Sequence, residues 1–491
     1  MGKNIALLYM SAYFAQPAPE GSKNRFLRTQ TNEAAVSALW KDPASRPDKI
    51  VALCSDTVRT KPTVPAADGS GNKVPTLEYF RDEFLKQLGV QPEQLVAVSV
   101  PDSMEEADQT RAISAVLEQV AENDNLYIDL SGGMRDTATL LLIVARYLKD
   151  IRMVQTKKVL YSELKGNSSV VRDSTGLYNL MDLITAVDAF FSTGTAQKLK
   201  SYLWSEGEKD PVLHTLLTRI NQFSEDLALC RVQKLNDDLN QIDQALKKTP
   251  KKSQNLTDLF FRLLKDRFST EFAELLSSGE KALPALVSWC AGHGMYQQAL
   301  TLLCEQMPEY VCQHIFVQPT PKGWEYLAAQ MQNKGKPWVY PLFHFHFCRL
   351  TLMQKEYPYT TDLRLTLSRD DAEGNMLFGV ANDAEMHDYL DMVLASGQLV
   401  IDPAIRPQLE QAALLYQRVM QYRNQINHAS ASDLGLQSER VLPLDTEHIK
   451  ETLQKIAAYL HEIRPLKRNV PQGVKALPVT KTIPAGAVPN L

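Results

Sequence analysis

The sequence predicts a doubly wound α/β unit followed by an all-helical unit. Three observations carry this prediction. Short, continuously apolar runs alternate with helix-like segments through the first 160 residues or so. Long amphipathic periodicity takes over from about residue 198. One turn, Asp129-Leu130-Ser131-Gly132-Gly133-Met134-Arg135-Asp136, joins a strand-like run to a helix through two glycines.

The strands come first. Asn4–Ser11, Lys49–Asp56, Gln94–Val100 and Asn125–Leu130 are each apolar without alternation, and most end in small or polar residues. Such runs suit strands covered on both faces of a parallel sheet. Val159–Tyr161 reads as a further strand. Helix-like segments separate them at Asn32–Lys41, Thr76–Leu88, Met104–Asn123 and Met134–Lys149. Alternation of this kind implies a parallel sheet whose ligands bind beyond the carboxyl ends of the strands.

In the Asp129–Asp136 turn, glycine lets backbone approach a ligand, and the N–H groups of the new helix are suited to phosphate, with Arg135 completing an anion site. An ordinary tight turn that needs glycine for its dihedrals accounts for the same residues. Neither a GxGxxG nor a Walker A loop is present, so those fingerprints of dinucleotide binding and ATP hydrolysis are lacking.

Leu177–Phe191 has the apolar spacing of a helix leading out of the first unit, and Ser192–Thr195 reads as a junction. Residues 355–407 are less regular and read as an insertion. Beyond Pro465 the chain is rich in Pro, Val, Lys and Ala and reads as an extended tail. The resulting division is 1–190, 198–465 and 466–491.

Near the end of the helical unit, Leu409, Ala412, Ala413, Tyr416, Val419 and Met420 recur at steps of three and four, the buried stripe of an amphipathic helix. The stripe then runs into Arg423-Asn424-Gln425-Ile426-Asn427-His428. At about 100° per residue, Arg423 falls on the stripe and His428 roughly 140° round from it. A guanidinium on a packing face is unfavourable unless paired or turned to a polar cavity. Histidine titrates near neutrality, and the C-terminal end of a helix favours its cationic form. Arginine offers phosphate a bidentate charge. An ion-paired or surface arginine and histidine remains the other reading of this spacing.

The string Arg423–His428 resembles the Arg-x4-6-His signature of HEPN ribonucleases. Trp289, His293–Leu302, Glu305 and Pro308 are similar to the HEPN region of one group, the CRISPR-associated ribonucleases with an N-terminal CARF domain that serve type III systems. Asp129 followed by Ser131-Gly132-Gly133 resembles the CARF signature after the fourth strand, and Thr31-Asn32 the Thr-Asn pair after the first.

The resemblance implies a Rossmann-like CARF domain over 1–190 and a helical HEPN domain over 198–465. It implies a homodimer that binds cyclic tetra- or hexa-adenylate through Tyr9, Ser11, Asn32, Ser55, Asp56, Ser131, Gly132, Gly133, Met134, Arg135 and Asp136. It further implies cleavage of single-stranded RNA, without metal and without attack on DNA. His428 would act as acid/base, Arg423 would stabilise the charged phosphate, and Asn424 and Asn427 would position reacting groups. Two alternatives stay open. One is a sensor or toxin outside CRISPR whose helical unit binds a partner. The other is an added ability of the first domain to degrade its own activator, with Ser11, Asp56 and Arg135 as candidates.

Composition agrees. A length of 491 residues exceeds one ordinary domain, and 44% hydrophobic content suits packed cores. No run approaches the roughly 18 apolar residues of a membrane helix, and no secretion signal opens the chain. The six cysteines form no CxxC pair, which argues against a zinc or disulfide framework and fits a reducing cytoplasm. His344-Phe345-His346 reads as strand-like alternation rather than a metal site, and Asp370–Asn375 as a solvated turn. A formal charge of −4 argues against coating nucleic acid by bulk electrostatics. It leaves room for a short local RNA cleft.

Overall fold

The computed structural model of the protein describes residues 2–102, 105–133, 135–165, 168–206, 211–248, 256–277, 282–323, 325, 338–339, 387, 390–391, 394–395, 397, 399–427, 445–466, 468–476 and 482–483. His344–His346, Asp370–Asn375 and all of 355–386 lie outside them. The chain separates into two compact units, Met1–Leu183 and Ile184–Leu491.

The first unit is built on β1 (Asn4–Tyr9), α1 (Glu33–Lys41), β2 (Lys49–Ser55), α2 (Asp56–Thr60), β3 (Pro62–Pro65) and β4 (Lys73–Pro75). A helical stretch follows, α3 (Thr76–Tyr79), a π turn over Phe80–Leu85 and α4 (Lys86–Leu88), then β5 (Leu95–Val100), α5 (Glu106–Gln119), β6 (Asn125–Asp129), α6 (Arg135–Arg152), β7 (Gln155–Lys165) and β8 (Ser168–Asp173). The last helix, α7 (Thr175–Thr193), contains the boundary between the two units.

The main sheet has the order β5-β2-β1-β6-β7-β8. Its first five strands run parallel and β8 returns antiparallel to β7. β1 shows why its sequence lacks alternation. Ile5, Leu7 and Tyr9 enter one core with Leu141, Val144 and Leu148 of α6 and Val116 of α5. Ala6, Leu8 and Met10 enter another with Ala35, Val36 and Leu39 of α1 and with Phe80 and Phe84. Burial on both faces makes every residue of the strand apolar.

Leu7 pairs with Val51 on one side and Ile128 on the other. The chain leaves β1 toward β2 and later returns to β6 on β1's opposite side, so β1 and β6 flank the topological switch point where such sheets open a crevice. Three expectations are corrected here. The strand expected at Val159–Tyr161 extends over Gln155–Lys165 because β8 pairs with its polar second half. The helix expected at Met104–Asn123 covers Glu106–Gln119, after which Val120 is extended. Lastly, β3 and β4 form a hairpin absent from the sequence reading.

The second unit continues with α8 (Gln197–Glu206), α9 (Pro211–Ala228), α10 (Val232–Lys247), α11 (Leu256–Glu271), α12 (Ala273–Ser277), α13 (Leu283–Gly292) and α14 (Tyr296–His314). Then come β9 (Val317–Pro319), β10 (Trp338–Val339), β11 (Leu399–Ile401), α15 (Arg406–Asn427), α16 (Thr446–Ile463) and β12 (Thr482–Ile483). β9 pairs with β11 and β10 with β12, both antiparallel. An aromatic core of Phe223, Phe268, Phe272 and Trp289 joins α9, α11 and α13, with Phe223 and Trp289 edge to face at 5.7 Å between centroids. Gly194, at φ +71°, lies against Trp289 and Met295, where a Cβ would come within 2.7 Å of the indole. Helix α14 packs against α13, α15 and α16.

Candidate functional site

At the switch point the loop after β1 and the turn after β6 are bonded together. The Gly133 N–H donates to Ser11 Oγ at 2.9 Å. Beneath them lies Asn32, fully buried at the start of α1. Its Nδ2 donates to Asp129 Oδ2 at 2.7 Å and to the Tyr9 carbonyl at 3.2 Å. Its Oδ1 accepts from Ser11 N at 3.3 Å and Gln30 Nε2 at 2.7 Å. A primary amide has two donor hydrogens and two acceptor lone pairs, and here all four are engaged. Asn32 therefore fastens β1, α1 and β6 together.

Asp129 is the residue that the site reading missed, although it opens the recognised turn. Only 2% exposed, it accepts from Ser131 N at 2.9 Å and from the Ser131 hydroxyl through Oδ1. Burial pushes its carboxyl up to about 6, while the bonds from Ser131 and Asn32 pull it back. Ser131 Oγ in turn accepts from Ser162 N at 2.7 Å, extending the network to β7.

Among the described residues these contacts turn Asn32 and Ser131 inward. The glycines likewise answer to the protein's own packing. A Cβ on Gly132 would lie 1.9 Å from the Tyr9 carbonyl oxygen. One on Gly133, at φ +84°, would lie 2.3 Å from Thr137 Oγ1 and 2.5 Å from the Tyr9 ring. The demand for glycine at both positions is thus met before any ligand is considered.

The end of β2 is held separately. Ser55 caps α2, its Oγ accepting from Val58 N at 3.4 Å. Asp102 accepts from Thr57 N and Oγ1 at 3.1 and 2.8 Å. The Ser55 bond comes first among the causes that hold the Asp102 carboxyl below its usual range. Asp56 is exposed and lies 3.8 Å from Arg59. Tyr9 links this end electrostatically to α6. Burial, and then the charges of Asp102, Asp136, Cys54 and Asp56, push its phenol up to about 12. Arg135 begins α6, and its side chain, with the whole of Met134, lies outside the described residues.

In the second unit, α15 carries the apolar stripe read from sequence. Leu409, Ala412, Ala413, Tyr416, Val419 and Met420 are all buried. The stripe faces α14, where Tyr416 Oη donates to the Cys304 carbonyl at 3.3 Å and Cys304 Sγ meets Met420 Sδ at 3.5 Å. Arg423 continues that face, half-buried, with its Nε enclosed. It is close enough to lower the Cys304 thiol, which burial raises to about 12. Asn427, the last described residue of α15, is exposed, and its Oδ1 accepts from Gln297 Nε2 of α14 at 3.3 Å. The Asn424 side chain and His428 lie outside the described residues. Gln297 joins this end without having been singled out as a site residue. Its only sequence signal was membership of the HEPN-like stretch His293–Leu302.

No group of three or more metal-ligating side chains occurs among the described residues. Nor is any described helix long and apolar enough to cross a membrane.

The fold and these residues define a two-part protein, a Rossmann-like α/β unit with a switch-point crevice joined in one chain to a largely helical unit. Residues 179–278 match the family model described as "CRISPR-associated protein MJ1674, second domain". That stretch holds neither the Asp129 turn nor the Arg423 helix, so it adds to the motif-based resemblance from separate residues. A solved structure, Enterococcus italicus Csm6 bound to cyclic hexa-2'-fluoro-hexa-dAMP, is similar at 12% identity over 94% of this chain and 95% of that one, with a TM-score of 0.26. No curated protein matches the chain.

Proposed function

We propose that this protein is a single-stranded-RNA endoribonuclease of type III CRISPR defence, switched on by a cyclic oligoadenylate and active without a metal ion as a homodimer. The observation that supports the reading is the place of Arg423, a guanidinium held half-buried on a packing face five residues before His428 in the sequence.

The RNA's 2′-hydroxyl attacks the adjacent phosphorus, its proton passes to a base, and the 5′-oxygen leaves after accepting a proton. The products are a 2′,3′-cyclic phosphate and a 5′-hydroxyl. His428 exchanges these protons, Arg423 stabilises the added charge on the phosphorane, and Asn424 and Asn427 orient the reacting groups. The substrate supplies its own nucleophile, so DNA is not cut.

A second copy is the expected neighbour of the exposed side chains on α6 and α7. Ile143, Tyr147 and Ile151 recur every four residues at 57%, 46% and 62% exposure, and Leu177 and Met181 are 62% and 43% exposed. Asp182 ion-pairs with both Arg146 and Lys149, which holds the two helices together. A symmetric ring contacts equivalent residues of two copies related by a two-fold axis.

The test is RNA degradation with cyclic tetra- and hexa-adenylate in turn, by the wild type and by His428→Ala. One ring should activate the wild type. The variant should lose at least the ~100-fold typical of a missing acid/base while still binding the ring. Near-normal turnover by the variant removes His428 from the chemistry, and silence of the wild type with every ring overturns the proposal.

A further inference from the structure

The connection from β1 to α1 runs from Met10 to Asn32, far longer than the roughly 2–6 residues usual for such links. It folds on itself. Pro17 bridges Phe26, Ala18 N donates to the Arg25 carbonyl at 3.0 Å, and Leu27 N to that of Gln16 at 3.0 Å. An aromatic triad of Tyr13, Phe26 and Tyr79, with centroids 5.6 to 5.8 Å apart, seats it on α3 and the β3–β4 hairpin. A long connection held this firmly is more often a binding loop than a spacer.

The loop encloses a cavity of about 430 Å³. This lies within the roughly 300–1,000 Å³ range of small-ligand pockets. It opens beside Ser11, the hydroxyl that receives the Gly133 N–H, and is thus a side chamber of the switch-point crevice. Arg28, Phe14, Gln16 and Thr31 help line it. The Arg28 guanidinium is exposed and makes no hydrogen bond or ion pair with the described residues, its carbonyl alone being engaged by the Tyr13 hydroxyl. Phe14 is 63% exposed, with the Lys61 ammonium over one part of its ring at 5.7 Å from the centroid. Thr31 Oγ1 is enclosed without a hydrogen-bond partner among the described residues.

The neighbouring end of β2 is mixed in charge. There Tyr9 senses Asp56, Asp102 and Asp136, offset by Arg59 beside Asp56 and Lys61 near Asp102. A phosphate bound at the crevice meets several carboxylates at the end of β2, and in the loop cavity the Arg28 guanidinium with the Lys61 ammonium beside Phe14.

We infer that the cavity behind Ser11 is a nucleotide subsite, in which Arg28 holds a phosphate and Phe14 stacks on the attached base. This rests on the proposed activation by a cyclic oligonucleotide and assigns one nucleotide unit of that ring to the β1–α1 loop. Fork-shaped cation and exposed ring together recognise phosphate and base at once.

The test is calorimetric titration of the full-length protein with cyclic tetra- and hexa-adenylate, and separately with AMP. Arg28→Ala and Phe14→Ala should each weaken binding of the ring at least tenfold. Lys23→Ala removes the same charge from an exposed position of the same loop and should change affinity less than twofold. Unchanged affinity in Arg28→Ala overturns the subsite, and so does an equal loss in Lys23→Ala, which would mean bulk charge alone. If the wild type binds neither ring, the activation proposal fails and AMP decides the pocket. Binding of AMP that Arg28→Ala weakens sustains the subsite; absent AMP binding, or binding indifferent to Arg28, overturns it.

Discussion

Asp129 sets the energetics at the scale of a single residue. Its carboxyl is buried among donors that favour its charge, yet burial prevails and raises it from the ordinary 3.8 to about 6. The native state therefore holds that proton more tightly than the unfolded chain does. The resulting stabilisation is complete below about pH 4 and is lost as pH rises through about 6. An asparagine at 129 cannot titrate. Relative to Asp129→Asn, the wild type should lose on the order of 3 kcal/mol of local stability between pH 4 and pH 7. Amide exchange in β6, followed across that range in both proteins, measures the difference. Parallel profiles would refute the assignment. Asp238, also raised to about 6, is present in both proteins and cancels from the comparison.

Arg423 poses a related question of placement. Its position was legible because an amphipathic stripe has one period and any charge on it stands out. Gln297 was not legible as its neighbour. It comes from another helix, and only the packing of α14 on α15 brings it within 3.3 Å of Asn427.

At the scale of elements, the turn after β6 is where a glycine reading needs two terms. The sequence suggests room for a ligand. The structure shows the Tyr9 carbonyl and the Asn32 amide already filling the space a side chain would need. Gly132→Ala should therefore destabilise the first unit by at least the ~1–3 kcal/mol typical of overpacking, with or without activator. Thermal unfolding without ligand separates this from blocked binding. An unshifted midpoint would return the glycine to the ligand.

The strands β1, β2, β5 and β6 were readable, the first two because burial on both faces leaves an unbroken apolar run. Ser168–Asp173 was not, since as the outer strand beside β7 it is mostly polar and carries no continuous apolar run. The β3–β4 hairpin escaped for a similar reason. Its Pro62-Thr63-Val64-Pro65 carries two prolines, which ordinarily argue against a strand and are tolerated in a two-stranded ribbon.

For the whole molecule, the exposed stripe of Ile143, Tyr147 and Ile151 predicts assembly. Apolar side chains repeated on one helix face are unfavourable in water and favourable against a copy of themselves. Tyr147→Glu combined with Ile151→Glu places charge in that face without touching the cores. The wild type should sediment as a dimer and the variant as a monomer, and any activator-dependent RNA cleavage by the wild type should fall at least tenfold in the variant. A dimer that survives both changes would move the interface elsewhere. Two-unit organisation was visible in the sequence as a change of periodicity, whereas this stripe was not singled out, because partners outside the chain leave no internal pattern to match.

The β1–α1 loop is braced by its own trio of rings, apart from the two cores that sandwich the sheet. Its lining can therefore be exchanged by natural variation while the strands beneath keep their registers. Lineages facing different chemical alarms would diversify first in this stretch, and the frame of Asn32 and Asp129 would be inherited with little change.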